Sequence, residues 1–230
     1  MDTSLEEFSI ICCEQLRCLP TGLDRLCHLQ KITIRDCNSL ISLKDLIPTD
    51  LRSLEIEECK NLVALPNDMR LYSLQTLSVC NCPKIEFKDF PTNLRELRLS
   101  GANLCDQVYV LGLRSLTSLT SLEIADGEED GKNILMLPKS LTTLRFENFP
   151  NLLFLSCKFC QNPSTLEQLF IRACPKFESL SEECFPPSLQ QIHIYECPVL
   201  KQNYEKDEGI MRSKFAHIRS VIIDGVEQQK

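Results

Sequence analysis

The chain has 230 residues, with 25 basic and 32 acidic side chains and a net charge of −7. It therefore lacks the basic face that releases counterions from phosphates, and nucleic acid is not an expected partner. No stretch approaches the roughly 18 apolar residues of a membrane span, so no membrane partner is expected either.

The N-terminal Met1-Asp2-Thr3-Ser4-Leu5-Glu6-Glu7 is acidic, the reverse of a secretory signal. No asparagine opens a glycosylation sequon; in Asn162-Pro163-Ser164 the proline forbids it. A cytoplasmic location is expected. The first structural unit follows at once: Leu5, Phe8, Ile10 and Cys13 are spaced Leu-x-x-Leu-x-Leu-x-x-Cys. The segment Leu19-Pro20-Thr21-Gly22-Leu23, Leu26, Leu29 steps every three residues and predicts a helical turn. The unit then recurs at Leu29-Ile32-Ile34-Cys37, Leu51-Leu54-Ile56-Cys59 and Leu74-Leu77-Val79-Cys82. Three copies keep the apolar triplet without the cysteine: Leu94-Leu97-Leu99-Ala102, Leu119-Leu122-Ile124-Gly127 and Leu141-Leu144-Phe146-Phe149. Leu166-Leu169-Ile171-Cys174 and Leu189-Ile192-Ile194-Cys197 restore it.

The first leucines, at 5, 29, 51, 74, 94, 119, 141, 166 and 189, lie 20 to 25 residues apart. That period predicts an α/β leucine-rich-repeat solenoid. Each period-2 stretch is a short strand, and stacked strands form a parallel β-sheet on the concave side. Irregular or short helical turns return across the convex side. Pro-x-x-Leu connections (Pro48 to Leu51, Pro91 to Leu94, Pro138 to Leu141, Pro163 to Leu166, Pro186 to Leu189) stop any helix before the next strand. The acidic run Asp126-Gly127-Glu128-Glu129-Asp130-Gly131-Lys132 is expected to project as a solvated loop. About nine units fill residues 1–203. Residues 204–230 are expected to form a capping segment, with a final strand through Ile218, Val221 and Ile223. The N-terminus shows no comparable cap, as in a piece of a longer chain or a natural truncation.

Chemistry is sparse. His28, His193 and His217 belong to no nucleophile–base pattern. Cys157-Lys158-Phe159-Cys160 has zinc-ligand spacing with no second pair, and is read as a thiol pair in a convex loop. Gly127 to Asn133 is one residue too short for a phosphate loop and has Asn133 where a hydroxyl must hold magnesium. No enzyme activity, cofactor or metal is expected. Six of the 14 cysteines occupy one repeat position. In a reducing compartment they are read as free thiols donating weakly to loop carbonyls, the alternative being a ladder of disulfides.

The fourth and sixth residues after each first leucine should face out of the concave sheet. The fourth-position column reads Ser9, Thr33, Glu55, Ser78, Arg98, Glu123, Arg145, Phe170, His193, and the sixth Ile11, Arg35, Glu57, Cys80, Ser100, Ala125, Glu147, Arg172, Tyr195. The last units stand apart: Arg145, Phe170, Arg172, His193 and Tyr195 fall within roughly 10 Å of one another at a strand spacing of about 4.8 Å. Aromatic and arginine residues anchor many protein interfaces, which makes these five the candidate protein-binding site. The competing reading is that Phe170 leans on its neighbours, with arginine stacked on the ring, and that the cluster binds nothing.

Leu65-Pro66-Asn67-Asp68-Met69 leading to Ser73-Leu74-Gln75-Thr76-Leu77-Ser78-Val79-Cys80-Asn81-Cys82-Pro83, with Cys174-Pro175 and Cys197-Pro198, resembles the repeats of plant nucleotide-binding leucine-rich-repeat immune receptors. Gly209 through Lys214-Phe215-Ala216-His217-Ile218 to Asp224-Gly225 is similar to the C-terminal end of their coiled-coil class, which usually has Trp where Arg212 stands and Pro where Arg219 stands. The resemblance implies recognition of pathogen effectors or host proteins, and control of a nucleotide-driven switch in a domain this sequence lacks. That domain would be a further partner in a full-length receptor. A substrate adaptor of an F-box ubiquitin ligase is the alternative, since its repeats also carry the corner cysteine. Adaptor units are usually more regular, and the proline-bounded linkers favour the first reading.

Overall fold

The computed structural model describes residues 4–44, 46, 50–65, 71–159, 165–180, 185–206 and 215–228. Every repeat unit contributes one five-residue strand to a single curved sheet. In chain order these are β1 (Glu7–Ile11), β2 (Lys31–Arg35), β3 (Ser53–Glu57), β4 (Thr76–Cys80), β5 (Glu96–Ser100) and β6 (Ser121–Ala125). The convex β7 (Leu135–Leu137) intervenes before β8 (Thr143–Glu147), and β9 (Phe154–Leu155) and β10 (Cys157–Phe159) before β11 (Gln168–Arg172). After β12 (Ser179–Leu180) come β13 (Gln191–Tyr195), β14 (Ser220–Ile223) and β15 (Val226–Glu227). The eleven-stranded sheet runs β1-β2-β3-β4-β5-β6-β8-β11-β13-β14-β15. All its pairs are parallel except the last. The molecule is a leucine-rich-repeat solenoid.

Alternation drives the strands. Residues three and five after the first leucine point inward and reach nearly zero exposure from Ile32 and Ile34 through Ile192 and Ile194. Burying one such side chain contributes about 1.5–3 kcal/mol, and each is covered only by the neighbouring units. Beyond each strand the seventh residue turns left-handed: Cys12, Asp36, Glu58, Asn81, Asp126, Asn148, Ala173 and Glu196 all have φ between 52° and 57°. Gly101, with φ 116°, fills the same place in the fifth unit. Its amide extends the ladder by one rung, as in Asp36 N–H to Glu57 O (3.0 Å) and Asn148 N–H to Arg172 O (2.9 Å). Asn and Asp bear this conformation well, and Gly better; Glu, Ala and Cys bear it at some cost.

The corner follows. In most units residue eleven donates its N–H to the carbonyl of residue eight, for example Leu40 to Cys37 (3.1 Å) and Phe177 to Cys174 (3.1 Å). Each corner thiol donates back to the strand's last carbonyl: Cys37 to Arg35 (3.2 Å), Cys59 to Glu57 (3.4 Å), Cys82 to Cys80 (3.3 Å), Cys174 to Arg172 (3.3 Å) and Cys197 to Tyr195 (3.3 Å). These five thiols are free and buried. Cys13 is also free, but exposed, because only β2 packs beside the first strand. The proline connections close as turns where described, with Leu94 donating to Pro91 O (3.3 Å), Leu141 to Pro138 O (3.3 Å) and Leu189 to Pro186 O (2.9 Å). Pro48 and Pro163 lie outside the described residues, as do Pro66–Met69.

Two expectations require correction. The acidic run does not project: a Cβ on Gly127 would sit 2.2 Å from the Phe149 ring, and one on Gly131 (φ 93°) 1.8 Å from Phe154 O. Both glycines let the backbone lie flat on the next unit, and Leu153 N–H binds Asp130 O (3.1 Å). The thiol reading of the Cys157 pair also fails, since Cys157 is disulfide-bonded. The second cysteine of the motif, Cys160, lies outside the described residues. The outward columns hold in register, but Thr33, Ser100 and Ala125 within them are buried by their neighbours. Thr33 Oγ1 reaches Glu55 (3.4 Å), and Ser100 Oγ donates to Asp126.

The convex side carries more order than expected. A 3-10 turn at Leu23–Arg25 matches the predicted helical turn. Helix α1 (Ala102–Leu111) was not foreseen; it buries Leu104, Cys105 and Val108. Its Cys105 thiol donates to Ala125 O (3.2 Å), supplying the sulfur that Ala102 cannot. Two small parallel sheets, β7 with β10 and β9 with β12, add a second ladder behind the later units. Helix α2 (Pro198–Lys206) buries Leu200 and Tyr204. Phe215 stacks on Tyr204 and meets Phe185 edge-on (5.4 Å), while Lys201 binds Asp224 (2.9 Å) beside β14. The segment from Gly209 to Lys214, including Arg212, lies outside the described residues; Arg219 is exposed.

Candidate functional site

Strand register decides which side chains meet. Arg145, Phe170 and His193 are Cα partners across β8, β11 and β13, and so are Glu147, Arg172 and Tyr195. All five candidate residues therefore sit on three consecutive strands of the concave face, in the two columns read from the sequence.

The geometry is the arginine-on-ring stack of the competing reading, extended on the other side by His193. The Arg145 guanidinium carbon lies 3.7 Å from the centroid of Phe170. The His193 ring stacks on Phe170 with centroids 4.6 Å apart and planes at 12°. With its partners on the two neighbouring strands, Phe170 is sandwiched, and it presents its edge to solvent rather than a face. Tyr195 continues the array at 6.5 Å and 21° from His193. Phe170, His193 and Tyr195 are half-buried in consequence. Arg172 is exposed and stands apart from the stack, between Glu147 (3.6 Å) and Glu196 (3.5 Å).

Burial, and then the positive charge of Arg145, hold the His193 imidazole below its ordinary pKa of 6.5, so it is neutral at pH 7. A groove of about 400 Å³ opens beside the stack, lined by Arg145, Glu147, Phe170, Arg172, Tyr195 and Glu196.

A third column went unread. The second residue after each first leucine also faces out, and here it supplies Thr143, Gln168 and Gln191. Gln168 donates to Gln191 (3.1 Å), and Gln191 lies 3.5 Å from the His193 ring nitrogen. The signal was available: residues two, four and six of a strand share one face.

A second groove of about 390 Å³ lies over β2 to β6. It is dominated by ion pairs: Arg35 with Glu57 (3.1 Å) and Arg98 with Glu123 (3.1 Å). Among the described residues no cluster of three or more His, Cys, Asp or Glu could hold a metal. His28 and His217 are exposed and outside the strands. No described helix is long and apolar enough to cross a membrane. The site offers planar, aromatic and hydrogen-bonding groups suited to a protein surface.

No protein-family model matches the chain. The chain is 35% identical over 190 residues to the putative disease resistance protein At3g14460 of Arabidopsis thaliana, covering 78% of this chain and 13% of that protein. It is 32% identical over 109 residues to disease resistance protein RPP2A of the same plant (46% of this chain, 8% of that protein). Against disease resistance protein RPS4B, also from that plant, it is 26% identical over 211 residues (80% of this chain, 17% of that protein). The chain thus spans less than a fifth of the length of these relatives. Over most of its own length, this repeat solenoid is similar to part of plant disease resistance proteins.

Proposed function

We propose that the chain is a non-enzymatic protein-recognition module of a plant intracellular immune receptor. It binds a pathogen effector or a host protein, and through that contact regulates activation of the receptor. In a full-length receptor its own nucleotide-binding domain is the second partner. The observation that carries this reading is the half-exposed stack of Arg145, Phe170, His193 and Tyr195 beside an open groove on the concave sheet. The names of the relatives, all disease resistance proteins, favour the receptor over the F-box adaptor.

The test is a binding titration of the chain against purified effector proteins and against a separately expressed receptor nucleotide-binding domain. At least one should bind, and the combined variant Phe170→Ala, Arg172→Ala, Tyr195→Ala should weaken it by about 30-fold or more, the equivalent of about 2 kcal/mol. A partner indifferent to all three substitutions places recognition elsewhere.

A further inference from the structure

Five cations stand on the parallel strands of the concave sheet: Lys31, Arg35, Arg98, Arg145 and Arg172. Four of them are neutralised from within the chain. Lys31 holds Glu55 (2.7 Å), Arg35 holds Glu57 (3.1 Å), Arg98 holds Glu123 (3.1 Å), and Arg172 lies between Glu147 and Glu196. Arg145 is the exception: among the described residues it has no carboxylate within 4.0 Å. Two were within reach by register. Glu123 is its Cα partner on β6 but is engaged by Arg98; Glu147 is on its own strand but faces Arg172.

The Arg145 guanidinium is nevertheless not loose. It rests over Phe170, whose other face is covered by His193, and it borders the groove. A stacked guanidinium keeps its in-plane N–H donors free, because the ring occupies only its face. Holding it in place beforehand removes much of the side-chain entropy that a new ion pair costs. The depressed pKa of His193 agrees with a positive charge left uncompensated beside it.

We propose that this groove takes a carboxylate-bearing segment of the partner protein, an Asp or Glu flanked by an apolar residue. The carboxylate accepts hydrogen bonds from Arg145, and the apolar neighbour lies along the exposed edges of Phe170 and Tyr195. The inference rests on the protein-recognition reading and names the chemistry of the same site.

The experiment uses two synthetic heptapeptides blocked at both ends, Gly-Ser-Glu-Leu-Glu-Ser-Gly and its twin with Gln in place of both Glu. The intact chain, labelled with nitrogen-15, is titrated with each to about 10 mM, a range that captures millimolar affinities. The Arg145 Nε–Hε resonance is assigned by its loss in R145K. It should shift with the Glu peptide, which should bind about tenfold more tightly than the Gln twin. R145Q should abolish that preference, R98Q should keep it, and unchanged melting of both variants excludes misfolding. Equal affinity for the two peptides, no shift at Arg145 with either, or a preference surviving in R145Q overturns the proposal. None of these results touches the wider reading, which fails if neither an effector nor the nucleotide-binding domain binds in the whole-partner titration.

Discussion

The two halves of the concave face share one backbone and one register but satisfy their outward residues differently. Over β2 to β6, charges neutralise one another across strands, with Glu55 alone serving Lys31 (2.7 Å), Arg35 (3.8 Å) and Thr33 (3.4 Å). Over β8 to β13, planar groups stack on planar groups and one guanidinium is left without a carboxylate among the described residues. The sheet dictates only that neighbours stand about 4.8 Å apart. That spacing suits a salt bridge between long side chains, and it equally suits rings standing face to face. Which half is internally paired and which keeps a guanidinium without a carboxylate among the described residues is therefore decided by a handful of outward residues.

Substitutions separate the contributions of core, stack and ion pairs. The largest effect should come from a residue one place removed from the site. Leu169, fully buried between Leu144 and Ile192, should cost about 3 kcal/mol of stability as Leu169→Ala, because a cavity remains. Phe170→Ala should cost about 1 kcal/mol of stability, the scale of a ring-stacking contact. Chemical denaturation of the two variants checks the order; equal losses would show that Phe170 belongs to the core. Smaller still is Glu55→Gln. Its pairs are partly exposed, so stability should fall by less than about 1 kcal/mol, and the difference should shrink with added salt.

His193 provides a pH test. Its folded pKa is depressed, chiefly by burial and then by Arg145. Below pH 6.5 the unfolded chain takes up the proton first, so this contribution to stability is present above that pH and lost as pH falls through the folded value. Replacing Arg145 by Gln removes the second cause and should move the His193 titration upward, measured on its ring protons. An unmoved titration would mean that the Arg145 charge is compensated after all.

Much of this was legible in the sequence because solenoid strands repeat a two-residue alternation that a fixed period keeps in register. Arg145, Phe170 and His193 line up across three strands as the spacing of Leu141, Leu166 and Leu189 requires. What the spacing could not show was orientation. The spacing left open whether arginine stacks on Phe170; in the structure Arg145 and His193 both cover the ring. The convex side was read less well, since its segments vary in length and carry no common pattern. Helix α1 buries only Leu104, Cys105 and Val108, a stripe too short to stand out from the irregular convex segments around it. The acidic run was misread because charge suggests solvent, whereas Gly127 and Gly131 fix its path against Phe149 and Phe154.

The proposed recognition surface is the stacked half of the concave face, not the ion-paired half. A single alanine scan of outward residues, read by calorimetric titration with one identified protein partner, tests it most directly. Losses of about tenfold or more are expected at Arg145, Phe170 and Tyr195, and changes of less than about threefold at Arg35, Glu55 and Arg98. Losses concentrated at Arg35, Glu55 and Arg98, with Arg145 and Phe170 neutral, would contradict it.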